Sequence, residues 1–332
     1  MKIAFTLDYE LFLGSKTGSI ENCLINPLNA LEKAMGNAHF TIFVDATYIY
    51  RISQLKLSNS ELISQYDKLV EHLLHLRDNG HDLQLHIHPH WAYSSYKDGQ
   101  WLLDHDHYKL SDLDINEAAT LVNNSKQLLD DILGYKTTIF RAGGFSAQPT
   151  KMLASIFDES GIIADSTVCP GTSYNSTQQQ FNYISAPSRD SYYFDDDICK
   201  FSDNARFIEF PLTMYRVSPL FHWKLACNRL FSSDTHKTYG DGIAVKTTSD
   251  SIIQRLTRFH NCPSTIDGYK ANFLTKAYIN SKKRGLSLFT VLGHPKLATP
   301  YSVGVVEKFV KNATSSSDVF VTLSELIYEQ KS

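Results

Sequence analysis

The chain has 332 residues, of which 42% are hydrophobic and 12% are aromatic, and its formal net charge is -3. This composition is typical of a globular protein with a sizeable core and excludes a disordered chain. The small net charge indicates no general affinity for nucleic acid. No apolar run approaches the ~20 residues that a transmembrane helix requires.

The cysteines and the N-terminus both bear on the cellular compartment. Five cysteines are scattered along the chain without a C-x-x-C pair, which argues against a disulfide framework and against a thiolate zinc site. The apolar start of the chain is interrupted by Asp8 and Glu10 before the apolar region of a signal peptide could form. We therefore expect a cytoplasmic protein whose metal ligands, if any, are imidazoles and carboxylates.

Short apolar runs alternate with helix-period segments along the chain. The predicted strands are Lys2–Asp8, His39–Asp45, His81–His88, Thr137–Gly144, Ile162–Val168, Arg206–Thr213, Leu286–His294 and Asp318–Leu323. The predicted helices are Asn26–Met35, Ser60–Asn79, Asn116–Leu133 and a segment from Pro149 to Gly161. This repeat predicts an α/β fold in which seven or eight mostly parallel strands form a (β/α) barrel.

Three segments interrupt the repeat, at about 92–110, 170–204 and 214–285. The first is rich in aromatic residues, the second ends in an acidic run, and the third has more Lys and Arg than Asp and contains no Glu. We interpret all three as insertions at the C-terminal face of one barrel domain that spans residues 1–332.

Charged and imidazole residues collect where the predicted strands end. They are Asp8 and Glu10, then His86, His88 and His90, then Arg141 with Gly143 and Gly144, then Asp165, and finally His294. Each residue alone could be a solvated or structural group. The carboxyl ends of parallel strands share one face of a barrel, which is where such folds build active sites. The joint pattern therefore predicts an active site.

The histidine cluster is the sharpest single signal. His86 and His88 would share a face if the strand continued, whereas His86 and His90 could converge on one ion if the chain turned helical. Pro89 limits His88 to extended conformations and favours a turn, so we select His86 and His90. Two imidazoles and one carboxylate form a common catalytic zinc set that leaves a position open for water.

Taken together, these motifs resemble those of the polysaccharide deacetylase family, the NodB-homology carbohydrate esterases. That family has a deformed (β/α) barrel, an N-terminal acidic pair, His-x-x-x-His, Arg-x-x-Gly, a later Asp and Leu-x-His. The matching residues here are Asp8 with Glu10, His86 with His90, Arg141 to Gly144, Asp165, and Leu292 to His294. Their order is the same, although this chain has Asp-Tyr-Glu in place of two adjacent aspartates and Ile87 in place of a hydroxyl residue.

The resemblance implies hydrolysis of an N-acetyl group on an amino sugar, here a precursor of a bacterial surface polysaccharide. Glu10, His86 and His90 would hold a divalent metal, most simply Zn²⁺, and Asp8 would be the general base. Arg141 would pair with Asp8, a backbone N–H near Gly144 would stabilise the oxyanion, and His294 would be the general acid. Asp165 would orient the His294 imidazole.

The insertions would select the substrate, whether a free, nucleotide-linked or lipid-linked sugar. Tyr93, Tyr96 and Trp101 could stack on sugar rings or fold onto the barrel, and His88 and Trp91 are further candidates for substrate contacts. Basic residues at Lys282, Lys283 and Arg284 could meet a pyrophosphate or form a solvated face.

Two other functions remain open. One is a different hydrolase of related barrel fold, either a C–N hydrolase or a glycoside hydrolase with paired carboxylates. The other is a catalytically silent carbohydrate-binding barrel.

Overall fold

The computed structural model describes residues 1–231, 233–245 and 249–331. Two compact units are present. The first unit comprises Met1–Phe40 and Leu212–Val321, and the second comprises Thr41–Pro211 with the chain from Thr322 onward. Among the helices of these described ranges, none combines the length and the apolar character that crossing a membrane requires.

The strands are short and mostly parallel. They are β1 Lys2–Tyr9, β2 Thr41–Asp45, β3 Asp82–Ile87, β4 Ser95–Lys97, β5 Gln100–Leu102, β6 Ile139–Ala142, β7 Ala164–Asp165, β8 Ser173–Asn175, β9 Gln180–Asn182, β10 Tyr192–Phe194, β11 Phe207–Glu209, β12 Met214–Val217, β13 His260–Pro263, β14 Leu288–Gly293 and β15 Val319–Phe320.

The α-helices are α1 Asn26–Met35, α2 Ala46–Leu55, α3 Ser60–Asp78, α4 Ile115–Leu133, α5 Thr150–Ser160, α6 Pro219–Phe231, α7 Ser249–Thr257, α8 Leu274–Lys283, α9 Pro300–Ser315 and α10 Leu323–Lys331. Two short 3-10 helices matter for the site because they follow strand ends, at Pro89–Tyr93 and Pro295–Leu297.

In the first unit, β1 pairs in parallel with β14 and β15. Its residues from Ile3 onward are buried, as expected for a parallel strand covered on both faces. Phe5 packs edge-on against Phe309 of α9, with ring centroids 5.9 Å apart. The register places Leu7 opposite Gly293, so β1 and β14 end side by side.

In the second unit, β2, β3, β6, β7 and β11 pair in parallel in that order, and β10 closes the edge antiparallel to β11. Phe157 of α5 packs on Phe140 and Phe207, with centroids 5.1 and 5.5 Å away. The register sets Asp45 beside His86 and His86 beside Arg141. The ends of three neighbouring strands thus carry polar residues side by side.

Local sequence signals explain where the longer helices begin and end. Asp114 caps α4 by accepting the backbone N–H groups of Asn116 and Glu117, and the helix ends at Gly134 in the left-handed conformation with φ +74°. Thr299 caps α9 by accepting the backbone N–H of Ser302 at 3.0 Å. This cap fixes the start of α9 soon after the end of β14.

All eight predicted strands form, and the four predicted helices are present within one or two residues of their expected bounds. The three segments that interrupt the repeat contain further elements. The first holds the β4–β5 hairpin, the second the β8–β9 hairpin and β10, and the third β12, β13 and α6 to α8. Strands of three or four residues are too short for a period-two pattern to stand out in sequence.

Candidate active site and metal ligands

The first unit brings together three of the predicted site residues at the ends of β1 and β14. His294 directly follows β14, and its Nε2 lies 3.5 Å from Asp8 Oδ2 and 3.7 Å from Glu10 Oε1. A Cβ on Gly293 would lie 2.6 Å from side-chain atoms of both Leu7 and Ile266. A larger residue at position 293 would therefore have to displace the Leu7 and Ile266 side chains next to His294.

The other ring nitrogen of His294 is held by Asp267. Asp267 Oδ1 accepts the backbone N–H of His294 at 2.8 Å, and Oδ2 lies 3.0 Å from Nδ1. Burial lowers the pKa of His294, but the carboxylates of Asp267, Asp8 and Glu10 outweigh it, so the pKa is raised. Burial raises the pKa of Asp267, yet the adjacent imidazole holds it below its usual range. The contact between Asp267 and His294 thus favours the charged imidazolium form of His294. The Nε2 of this ring is directed at Asp8 and Glu10.

A buried lysine also reaches this cluster. Lys296 Nζ donates to Glu10 Oε1 at 2.8 Å and to the backbone carbonyl of Leu11 at 2.6 Å. Its ammonium group lies 5.2 Å from the centre of the Phe12 ring. The side chains of Lys296 and Glu10 are only 8% and 7% exposed, so this is a buried ion pair that fixes one carboxylate oxygen.

In the second unit, the histidine cluster begins on β3 and is buried. His86 Nδ1 lies 2.8 Å from the backbone carbonyl of Arg141. A carbonyl can only accept, so Nδ1 carries the proton and Nε2 carries the lone pair in the neutral ring. Metal-binding histidines usually donate their other ring N–H to such a group. His86 therefore has the tautomer of an Nε2 ligand.

The backbone remains extended at His88, with φ -116° and ψ 96°, and the 3-10 helix begins only at Pro89. The rings of His86 and His88 have centroids 4.7 Å apart, and a nitrogen of one lies within 4.8 Å of a nitrogen of the other. His90 stacks on Tyr108, with centroids 4.9 Å apart. The extended backbone is the condition under which His86 and His88 share a face; the predicted pair of His86 and His90 stays a prediction.

The glycines after β6 allow close packing next to these rings. A Cβ on Gly143 would lie 2.5 Å from the Ile87 carbonyl oxygen and 2.6 Å from His88 Nδ1. Gly144 has φ +59°, and its carbonyl accepts a hydrogen bond from Gln179 Nε2 at 2.7 Å. Both positions therefore need glycine, one for space and one for conformation. The role of Gly144 in binding an oxyanion stays a prediction.

Arg141 is fully buried beside β7. Its Nε donates to the Ser166 carbonyl at 2.7 Å and an Nη donates to Ser166 Oγ at 3.0 Å, while the guanidinium lies 4.1 Å from the centre of the Phe43 ring. These contacts fix the orientation of the guanidinium in the second unit. Its predicted pairing with Asp8 stays a prediction.

Asp165 belongs to a buried carboxyl pair. Its oxygens accept the backbone N–H and the hydroxyl of Thr167 at 2.7 and 2.9 Å, and Glu209 lies opposite it in the strand register. Burial is the largest cause that raises the pKa of both carboxyl groups, and the adjacent Asp165 carboxylate raises the pKa of Glu209 further. Asp165 is predicted from the sequence to orient His294, but Asp267 holds His294 Nδ1.

The aromatic residues proposed for substrate binding differ in exposure. Trp91 is fully buried and its Nε1 donates to Asp45 Oδ2 at 2.7 Å, so in this structure its ring packs inside the unit. Trp101 is half-buried against Trp91, with centroids 5.1 Å apart. Tyr93 is 37% exposed and stacks on His107. Tyr93 and Trp101 thus keep ring surface that a sugar could contact.

The basic residues at the end of α8 also differ in their contacts and exposure. Lys282 donates to Asp318 Oδ2 at 2.9 Å and lies over the ring of Tyr278, so it has a structural partner. Lys283 and Arg284 are exposed. Their predicted contact with a pyrophosphate stays a prediction.

Three residues of the site were not identified from the sequence: Asp267, Lys296 and Glu209. Asp267 lies in a segment that we interpreted as an insertion, and only one isoleucine, Ile266, precedes it among polar residues, so no strand pattern marks it. Lys296 follows His294-Pro295, a turn that returns its side chain to β1. Glu209 lies in a predicted strand and is a buried carboxylate in an otherwise apolar run.

The sequence matches no protein-family model and no curated protein sequence. The fold does have counterparts among solved structures. A protein from Mycobacterium smegmatis named as a polysaccharide deacetylase has a TM-score of 0.50 at 14% identity, over 99% of this chain and 89% of that one. A GH57-type branching enzyme from the hyperthermophilic archaeon Pyrococcus horikoshii has a TM-score of 0.50 at 10% identity, over 100% of this chain and 70% of that one.

At these identities the likeness shows a shared fold. The predicted fold class, an α/β deformed (β/α) barrel, is thereby confirmed. Because one fold supports many reactions, the side chains at the strand ends, and not the fold, determine the function.

Proposed function

We propose that this chain is a metal-dependent hydrolase that removes an N-acetyl group from an amino sugar, a precursor of a bacterial surface polysaccharide. The observation that carries the proposal is the contact set of His294 in the first unit. Its Nδ1 is held by Asp267, and its Nε2 lies 3.5 Å from Asp8. A candidate acid and a candidate base thus meet at the ends of two adjacent parallel strands, as hydrolysis of an amide requires.

We further propose that Glu10 and His86 are ligands of a divalent metal, most simply Zn²⁺. The tautomer of His86 suits a nitrogen ligand. The extended backbone and adjacent ring of His88 favour it as the second imidazole over His90. When bound, such a metal supplies a water of lowered pKa and polarises the acyl oxygen.

The proton transfers are assigned to residues of the chain. Asp8 accepts a proton from the attacking water, and Arg141 pairs with this carboxylate. His294 donates its Nε2 proton to the leaving amine, because the Nδ1 position is fixed by Asp267. A backbone N–H near Gly144 stabilises the developing oxyanion.

The substrate and the compartment are also proposals. Tyr93 and Trp101 offer partly exposed rings on which a sugar can stack. All five cysteines are free thiols, as expected in the reducing cytoplasm. We therefore propose that the reaction takes place inside the cell. Its substrate would be a free, nucleotide-linked or lipid-linked precursor.

The test is acetate release from a panel of N-acetylated sugar nucleotides and glycans by protein loaded with zinc. We expect release that a chelator abolishes and added zinc restores. Asp8→Asn should lower turnover by about 10²-fold or more at unchanged metal content. Asp67→Asn, at an exposed position of α3, is the matched control and should be fully active.

Two results would overturn the proposal. One is a zinc-loaded protein that releases no acetate from any member of the panel. The other is cleavage of glycosidic bonds that a chelator leaves untouched, which would indicate a glycosidase with paired carboxylates.

A further inference from the structure

Helices α6 and α7 of the first unit present an apolar surface to solvent. Its members are Leu220, Trp223, Cys227, Leu230, Ile252, Ile253 and Phe259, all of them exposed. We call this set the α6–α7 surface. Soluble proteins rarely leave an apolar patch of this kind exposed unless it binds something.

On α6 the exposed apolar residues lie on one face of the helix. The spacing of Leu220, Trp223, Cys227 and Leu230, at i, i+3, i+7 and i+10, repeats with the helical period. Three of them, Leu220, Trp223 and Leu230, are 61%, 54% and 76% exposed. A helix face with this pattern would normally be buried, yet here it faces solvent.

The opposite face of α6 is already packed. Phe221 contacts Phe273, with ring centroids 5.3 Å apart, and His222 contacts His260, with centroids 4.6 Å apart. One face of α6 thus packs against the first unit, while its second apolar face is exposed to solvent. The exposed face is therefore available to bind a partner.

The two helices form one connected surface. Trp223 Nε1 donates to the Leu256 carbonyl of α7 at 3.1 Å. Arg216 lies over the ring of Phe259, 5.1 Å from its centre, just beyond the end of α7.

Positive charge accompanies the apolar residues. From Met214 to His260 the chain contains three acidic residues, all Asp, against seven basic ones: Arg216, Lys224, Arg229, Lys237, Lys246, Arg255 and Arg258. Arg216, Lys224 and Arg258 are exposed. Trp, Leu and Phe on a helix face flanked by Lys and Arg are typical of a helix that lies in the interface of an anionic membrane.

We propose that the α6–α7 surface docks this protein on the surface of a membrane that contains anionic lipids. The apolar side chains enter the acyl boundary, and the basic side chains contact lipid phosphates. A second copy of the chain fits less well, because the same basic side chains would meet across a symmetric interface. The proposal does not depend on the proposed reaction.

The experiment is co-sedimentation of the full chain with vesicles of phosphatidylcholine alone or of phosphatidylcholine mixed with phosphatidylglycerol. We expect binding to the anionic vesicles, weakened by added salt, and little binding to the neutral ones. Two double variants test the surface. Leu220→Ser with Leu230→Ser removes apolar contacts, and Lys224→Glu with Arg258→Glu reverses charge; each should lower partitioning by at least about tenfold.

Matched controls lie elsewhere in the chain. Leu57→Ser changes a leucine that is 88% exposed, and Lys308→Glu reverses an exposed charge on α9; both should bind vesicles like the unchanged protein. Circular dichroism and the unfolding midpoint establish that each variant is folded.

Three outcomes would overturn the proposal. The first is equal binding to neutral and anionic vesicles, or none to either. The second is unchanged binding by both double variants. The third is concentration-dependent self-association that Leu220→Ser with Leu230→Ser abolishes, without any lipid binding, which would assign the surface to a second copy. Because Asp8→Asn should dock normally, a failure of the reaction and a failure of docking remain distinguishable.

Discussion

Asp267 holds His294 at two points, through the backbone N–H at 2.8 Å and through Nδ1 at 3.0 Å. One carboxylate thus sets both the position of the backbone and the rotation of the ring. It also raises the pKa of His294 against the opposing effect of burial. An imidazole in this setting is suited to donate a proton from Nε2 near neutral pH.

We expect Asp267→Asn to lower turnover by at least about 10²-fold, because the amide no longer favours the charged, correctly rotated imidazole. The pKa of His294 should fall, so the basic limb of the kcat profile should move to lower pH. Steady-state kinetics across pH measure both effects. Asp131→Asn, on the exposed side of α4, should leave the profile unchanged. A basic limb that stays in place in Asp267→Asn would show that another group is the acid.

The three histidines at the end of β3 can be distinguished by the metal content of their variants. We expect His86→Ala and His88→Ala each to lose bound zinc, since their rings adjoin and both lie on extended backbone. His90→Ala should keep its zinc but lose stability, because the ring stacks on Tyr108 inside the unit. Elemental analysis of dialysed protein, together with the unfolding midpoint, distinguishes these effects. Loss of zinc in His90→Ala with retention in His88→Ala would instead support the pair selected from the sequence.

The sequence predicts the parts of the site that lie at the ends of recognisable strands. Asp8, Glu10 and His294 follow continuous apolar runs, and parallel pairing of β1 with β14 is enough to bring them together. Asp267 follows no such run. Its segment joins β14 through an isolated bridge between Thr265 and Leu292 rather than as a strand of several residues. Its position depends on tertiary packing.

Lys296 and His88 show two other limits of sequence analysis. The contact of Lys296 with Glu10 joins residues 286 positions apart and arises from a turn after Pro295. Pro89 predicts an extended His88 followed by a turn, but whether the ring of His88 or that of His90 adjoins His86 depends on the backbone angles, which keep His88 extended.

The carboxyl pair of Asp165 and Glu209 predicts a pH dependence of stability. Burial raises both pKa values, so the folded state binds protons at these carboxyl groups more tightly than the unfolded state does. Stability should therefore fall as the pH rises above the ordinary Glu pKa of about 4.3, through the interval up to the folded pKa. Glu209→Gln cannot ionise, so we expect this fall to be reduced in the variant. Unfolding curves of both proteins across pH measure the difference; parallel curves would argue that the pair is not protonated in the folded state.

The buried ion pair of Lys296 and Glu10 predicts opposite effects on stability and on metal affinity. Lys296→Met removes the ammonium from a buried carboxylate, which should destabilise the metal-free protein by about 3–5 kcal/mol. The same change removes a positive charge next to the proposed ligand Glu10, so zinc should bind more tightly and recover much of the lost stability. The unfolding midpoint of chelator-treated protein and calorimetric titration with zinc measure the two effects.

The control for this prediction is Lys311→Met, which breaks the exposed pair with Glu307 on α9. Exposed pairs contribute about 0–1 kcal/mol, so neither the stability nor the zinc affinity should change much. Weaker zinc binding by Lys296→Met would mean that the ammonium serves chiefly to orient Glu10 for the metal. Equal losses of stability in the two variants would instead show that the Lys296 pair contributes no more than a surface contact.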